Sequence, residues 1–279
     1  MAAPDSDVER RARPRHRFLI LLDLVFRGLR ASFSLMQSFY AAVGIFLLAG
    51  AVVATAGTWA FAELAARMRR GATQAMDDGV MQWVAAHQIP WLRVTMASVT
   101  ALGTGVVVMM VVLVAALFLW LTKHKHSAAL LLVVAVGAIL LNGILKAVFQ
   151  RQRPSAFEWG TEVFSSSFPS GHAMSAAVVY GTIAYLAGRL QRTHAARIAT
   201  TVVAVALILL IAASRIYLGV HYPSDILAGM TVGFAWAAFC MATLEAIQLI
   251  ARRRAPRVLA EDERPPETEG RRASGASPG

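Results

Sequence analysis

Lys146, Arg153, Ser170, Gly171, His172, Arg215, His221 and Asp225 stand in three short polar stretches of a chain that is otherwise strongly apolar. Together they offer three cations, a hydroxyl, a flexible backbone amide, two imidazoles and a carboxylate, a set suited to holding and breaking a phosphate ester. Lys146 and Arg153 are seven residues apart, two helical turns, and should project from one side at the end of a helix. Pro154 disfavours helical geometry at Arg153, so the helix should stop there and turn the guanidinium into a loop. Pro169-Ser170-Gly171-His172 immediately precedes an apolar run. At a helix start, unpaired N–H groups and the positive dipole end favour a phosphate, Gly171 permits close backbone approach, and His172 in the first turn can lend a proton. His221 and Asp225 are four residues apart, with Pro223 suited to the first helical turn, so the carboxylate can accept from one ring nitrogen and free the other as a nucleophile. Each stretch alone also has an ordinary reading: a snorkelling Lys and Arg, a Ser cap beside an interfacial His, a structural His–Asp cap. Three such stretches together are not explained that way.

The elements that must position these residues are membrane helices. In 279 residues 57% of side chains are hydrophobic, and the mean hydropathy of +0.56 exceeds what a soluble domain needs for its core. Uncharged runs occur at Ser38 to Ala62, Val94 to Thr122, Ser127 to Leu145, Ala173 to Gly188, Ile198 to Ser214 and Ile226 to Leu244. A span needs about 20 predominantly apolar residues, so four runs qualify directly and the fourth and fifth need flanking residues to complete them. The fold class expected is all-α: a polytopic six-helix transmembrane bundle with interfacial amphipathic helices. The domain division expected is 1–37, a basic tail with an interfacial helix over Phe18 to Gln37; 38–250, the six-span domain with its motifs in 146–225; and 251–279, a polar irregular tail.

Basic residues set the orientation, because cytoplasmic loops carry the excess of Lys and Arg. Each tail holds seven, Lys123 and Lys125 follow the second span, and Arg189, Arg192 and Arg197 follow the fourth. Both termini should therefore be cytoplasmic, and Lys146, Arg153 and Arg215 fall on the other side of the membrane. The net charge of +11 is concentrated in the tails, which suits anionic inner-leaflet lipids rather than nucleic acid. In the first outer loop, Met76, Val80, Met81, Trp83 and Val84 recur at helical spacing while Asp77, Asp78 and Gln82 take other positions, as in a surface helix that either anchors the chain at the interface or guides a lipid. His87 reads as a solvated loop residue, and Cys240, the single cysteine, as a packing residue in the sixth span.

The pattern Lys-x6-Arg-Pro, Pro-Ser-Gly-His and Ser-Arg-x5-His-x3-Asp, covering Lys146 to Asp225, resembles the type-2 phosphatidic acid phosphatase family, which shares its site with vanadium haloperoxidases and bacterial acid phosphatases. The resemblance implies that Lys146, Arg153, Ser170, Gly171 and Arg215 bind phosphate, that His221 attacks phosphorus with Asp225 orienting it, and that His172 protonates the leaving oxygen. It implies a membrane lipid phosphatase acting through a phosphohistidine on a lipid phosphate or diphosphate at the outer face. Undecaprenyl or another polyprenyl diphosphate stands first, with phosphatidylglycerol phosphate, phosphatidic acid and a lipid A phosphate open beside it. Phosphoryl transfer needs positioning and charge neutralisation, which three cations can supply. Glu158 and Glu162 form no outer carboxylate cluster, so neither a metal nor another cofactor is expected. Phe157, Trp159, Phe164 and Phe168 either anchor at the interface or line the route of a lipid tail. A phosphotransferase would share every motif; a transporter would carry charges within its spans, and these runs carry none.

Overall fold

The computed structural model describes residues 41, 43–159 and 165–262, with side chains followed through Ile250. The predicted interfacial helix Phe18 to Gln37, Glu162 and Phe164 lie outside the described residues. The chain is all-α. Its helices are α1 (Val43–Arg69), α2 (Gln74–Ala86), α3 (Pro90–Ala101), α4 (Gly105–Leu121), α5 (Lys125–Phe149), α6 (Gly171–Leu190), α7 (His194–Tyr217) and α8 (Pro223–Asp262). Residues 46–248 form one compact unit, and the description below concerns it.

Large apolar side chains face outward along the long helices: Leu48 on α1, Val106 and Val114 on α4, Leu140 on α5, Val203 on α7 and Leu227 on α8 are each more than half exposed. Water would penalise so much apolar surface, whereas hydrocarbon does not, so this exterior belongs against lipid. The protein is a multi-pass membrane protein. Five helices are long and apolar enough to span, and α3 with α4 forms a sixth that is bent by 46°. Flanking residues complete the two borderline runs, giving α6 20 and α7 24 residues. The second predicted run differs: α3 stops at Ala101 and α4 begins at Gly105. At the break, a side chain on Gly103 would meet Ile211 Cγ2 at 2.7 Å and the His172 ring at 3.0 Å. The bend thus brings bare backbone against the start of α6.

The principal core joins α4, α5, α6 and α8 through Val112, Leu131, Val134, Met174, Val178 and Leu244, with Cys240 packed among them. Trp236 of α8 donates to the Val134 carbonyl at 2.9 Å. Helices α6 and α8 cross at close range. A Cβ on Gly229 would lie 2.5 Å from the Ser170 carbonyl oxygen, and one on Gly233 2.9 Å from that of Met174. Glycines four apart on one face let two backbones approach in this way. The crossing places the beginning of α6 beside the beginning of α8, and the Ser170 N–H donates to the Asp225 carbonyl at 3.0 Å.

Candidate active site

A cavity of about 380 Å³ opens where these helix ends meet, lined by Lys146, Arg153, Gly171, His172, Arg215 and His221 together with Gly103, Asn142, Ser165 and Ser175. Six of the eight predicted site residues face it. The other two stand behind the lining. Asp225 is 0% exposed, beneath His221. Ser170 is equally buried and caps α6, its Oγ accepting from the Ala173 N–H at 3.5 Å, and it does not line the cavity.

Lys146 and Arg153 reach the cavity by a different route from the one their spacing suggests. Helix α5 ends at Phe149, and Gln150 adopts left-handed geometry (φ 44°, ψ 35°) with its N–H on the Lys146 carbonyl. That cap ends the helix before Arg153, which therefore stands in the loop rather than on the Lys146 face. The two cations meet instead over residues 165 and 166. Lys146 Nζ donates to Ser165 Oγ at 2.7 Å and the Ser166 carbonyl at 3.0 Å; Arg153 Nε donates to the Ser165 carbonyl at 2.9 Å. Arg153 Nη1 also reaches the Val220 carbonyl at 2.5 Å and lies 3.2 Å from His221 Nε2. Arg215, 2% exposed, donates from Nη1 to Thr100 Oγ1 at 2.8 Å, while its buried Nε has no acceptor among the described residues. The donor left over suits an oxyanion.

His221 is 1% exposed and sits in the turn between α7 and α8. Its Nδ1 is 3.5 Å from Asp225 Oδ2, at the limit of a hydrogen bond, and its Nε2 faces the cavity beside Arg153. Burial pushes the imidazole down to about 4, Asp225 opposing and Arg153 and Arg215 adding to the fall. A value that low favours the uncharged ring at neutral pH, the form that leaves one nitrogen with a free lone pair. Burial likewise lowers the Arg153 guanidinium from its ordinary value, again against Asp225. Asp225 accepts at Oδ2 from the Tyr222 N–H at 2.8 Å and from the Ser167 hydroxyl. Its Oδ1 accepts from Arg151 at 2.7 Å. The bond back to Tyr222 is half of a capping box at the start of α8.

The sequence matches the PAP2 superfamily model over residues 127–248, a stretch that contains every motif above. Phosphatidylglycerophosphatase B of Bacillus subtilis is 32% identical over 174 residues, 62% of this chain and 85% of that protein. The chain belongs to the PAP2 superfamily. Lipid A 1-phosphatase of Rhizobium johnstonii is 31% identical over 117 residues, 39% of this chain and 43% of that one. Among solved structures, the transmembrane PAP2 type phosphatidylglycerolphosphate phosphatase from Bacillus subtilis superposes with a TM-score of 0.66 at 29% identity, covering 70% of this chain and 96% of that one. Aquifex aeolicus LpxE gives a TM-score of 0.50 at 21% identity over 60% of this chain and 94% of that one, a likeness of fold.

Several residues of this PAP2 site were not singled out by motif. Thr100 holds Arg215 from α3, Ser167 holds Asp225, and Arg151 binds Asp225 while also binding Asp77 of α2. Arg151 lies inside the Lys146–Arg153 stretch, where a second cation two residues before Arg153 was the available signal. The aromatic quartet divides. Phe168 is 0% exposed and packs its ring on Phe61 and Phe149, which makes it core; Phe157 packs against Gly219. Trp159, more than a third exposed, donates to the Pro154 carbonyl at 2.7 Å. His87 is exposed and stacks on Trp83 with ring centroids 4.5 Å apart. Among the described residues, no cluster of three His, Cys, Asp or Glu could hold a metal ion.

Proposed function

We propose that this protein is a lipid phosphatase that removes a phosphate from a membrane lipid by way of a phosphohistidine at His221. The observation that carries the reading is the convergence of Lys146, Arg153 and Arg215 on the cavity that also receives His172 and the Nε2 of His221. In this reading the three cations and the Gly171 amide at the α6 N-terminus hold the phosphoryl oxygens and neutralise charge that grows at the transition state. Nε2 attacks phosphorus in line, forming a P–N bond as the P–O bond to the lipid breaks. His172, entering as the imidazolium, gives a proton to the departing oxygen, and as the neutral ring then takes one from the water whose oxygen displaces His221. Phosphate leaves and both imidazoles return to their starting state. Asp225 accepts from the Nδ1 side and balances the positive charge on the phosphorylated ring. Because the cations of the chain supply the neutralisation, turnover is independent of divalent metal, and full activity in excess chelator is expected.

The lipid is proposed from chemistry and relatives together. The relative matched over most of its length is a phosphatidylglycerophosphatase, which puts phosphatidylglycerol phosphate first. Polyprenyl diphosphate, which the family resemblance puts first, gains no support from the comparisons and stands second. The distribution of Lys and Arg supports both termini in the cytoplasm and the cavity at the outer face of the cell membrane. Phosphate release by the purified protein in detergent, across phosphatidylglycerol phosphate, phosphatidic acid, a lipid A phosphate and polyprenyl mono- and diphosphates, tests the reading. Release from at least one lipid, lost in His221→Ala, is expected; phosphate appearing on a second lipid without release identifies a phosphotransferase instead.

A further inference from the structure

Behind His221, on the side away from the cavity, lies a closed ring of buried charge. Asp77 of α2 is 0% exposed, although Met76 beside it is exposed and Asp78 only half-buried. Asp77, Met81 and Val84, at positions i, i+4 and i+7, make the buried face of α2. Asp77 Oδ2 accepts from Arg151 Nη2 at 2.8 Å and from Ser224 Oγ at 2.6 Å, and Oδ1 accepts from the Ser224 N–H at 3.0 Å. The carboxylate of one helix thereby caps the start of another, the helix that carries Asp225. Arg151 closes the ring: Nη1 donates to Asp225 Oδ1 and to Ser224 Oγ, each at 2.7 Å, and its guanidinium stacks 4.2 Å from the Tyr222 ring.

The charges in this ring bear on His221. A single arginine on Asp225 would cancel the carboxylate that His221 relies on when its ring becomes positive. With Asp77 sharing the arginine, the group of Asp77, Arg151 and Asp225 keeps one net negative charge, and a positive His221 ring makes the whole neutral. A buried charge that is left unmatched is costly, so the count matters. Burial draws the Arg151 guanidinium down, and Asp225 and Asp77 together outweigh it and hold the group above the ordinary arginine value.

We infer that Asp77 and Arg151 are positioning residues for the nucleophile, a buried pair that caps α8, holds Asp225 and sets the net charge felt by His221, so that α2 is part of the active site rather than only an interfacial anchor. The inference rests on the assignment of His221 as nucleophile. The other charged or titratable groups that face His221 are Arg153 from the loop after α5, Lys146 from α5, His172 from α6, Arg215 from α7 and Asp225 from α8. None is changed in the test.

The test compares full-length wild type with Asp77→Asn, Arg151→Gln and the double variant, using phosphate release from phosphatidylglycerol phosphate in detergent micelles between pH 3 and 8. If the wild type does not turn that lipid over, the lipid from the panel above that it does turn over is used. Folding is checked by gel filtration and reversibility by return to pH 7. Asp77→Asn removes the net negative charge. It should lower kcat about tenfold, the factor that corresponds to one pKa unit of altered interaction, and move the acid limb of kcat/KM to lower pH. Arg151→Gln leaves an extra negative charge and should move the limb to higher pH. The double variant restores the net charge and should bring the limb back toward wild type. A purely structural role gives no such opposed and compensating shifts. Where Asp77→Asn is not recovered folded, Arg151→Gln against the double variant decides the same point. An Asp77→Asn enzyme with unchanged kcat and acid limb, or a double variant whose limb stays where Arg151→Gln left it, overturns the inference. A wild type that hydrolyses no lipid phosphate, or a His221→Ala enzyme with full turnover, overturns the underlying functional reading instead.

Discussion

The two sides of His221 treat positive charge in opposite ways. On the cavity side, Lys146, Arg153 and Arg215 bond to hydroxyls and carbonyls, Ser165, Ser166, Val220 and Thr100. On the far side, Arg151 is held between the carboxylates of Asp77 and Asp225. Among the described residues, neither Lys146, Arg153 nor Arg215 makes an ion pair. Neutral partners fix a cation's position without cancelling its charge, so the cavity keeps its attraction for an oxyanion. Carboxylate partners cancel charge, which is useful behind the proposed nucleophile, where an isolated Arg151 would oppose the positive ring that the proposed mechanism forms at His221. In the proposed mechanism the same residue type serves as ligand on one side and as scaffold on the other, and its partners decide which.

Changes confined to the cavity side should be the most severe. His172→Ala should cost about 10² to 10⁴-fold in kcat, the usual worth of general acid–base help, with the largest losses for alkyl leaving groups and the smallest for an activated aryl phosphate. Stopped assays with both substrate types check it; equal losses for the two would remove His172 from the proton transfer. Arg215→Lys keeps a positive charge but not the planar fork that reaches Thr100 and an oxyanion together, and a loss of about 10² to 10³-fold is expected from removing one such donor. If Arg215→Lys keeps full kcat, the front cations act only as diffuse charge. Smallest is the effect of pH on the intact enzyme. With His221 held near 4, the neutral ring is present above that value, so kcat/KM should be flat on the acid side down to about pH 4 and fall about tenfold per unit below it. A limb near the ordinary histidine value of roughly 6.5 would show that the ring is not as buried in the working enzyme as in this structure.

What the sequence revealed follows the same division. The residues of the front face occur in local patterns, a cation before Pro154, a Ser-Gly-His at a helix start, His221 and Asp225 one turn apart, and local patterns survive without a fold. The six apolar runs and the class of the fold were legible for the same reason. The back face joins Asp77 to Arg151 and Ser224 across 74 and 147 residues, and no spacing rule links them. Hydropathy alone groups Asp77 with the polar side of α2, whereas the structure pairs it into the interior. The bend at Gly103 was hidden inside an unbroken apolar run, since its cause is contact with His172 and Ile211 of other helices. Gln150 ended α5 early by taking left-handed geometry, which moved Arg153 off the helix face that its spacing from Lys146 suggested.

The central claim is that His221 Nε2, which faces the cavity beside Arg153 and is supported from behind, becomes bonded to phosphorus. Rapid acid-free quenching of the purified enzyme with a lipid substrate labelled in its terminal phosphate tests this directly. The account predicts a protein-bound phosphoryl group that is stable in base and lost in acid, located by peptide mapping to His221 and missing from His221→Ala. A label that resists acid, or one that forms in His221→Ala as in the wild type, would contradict it.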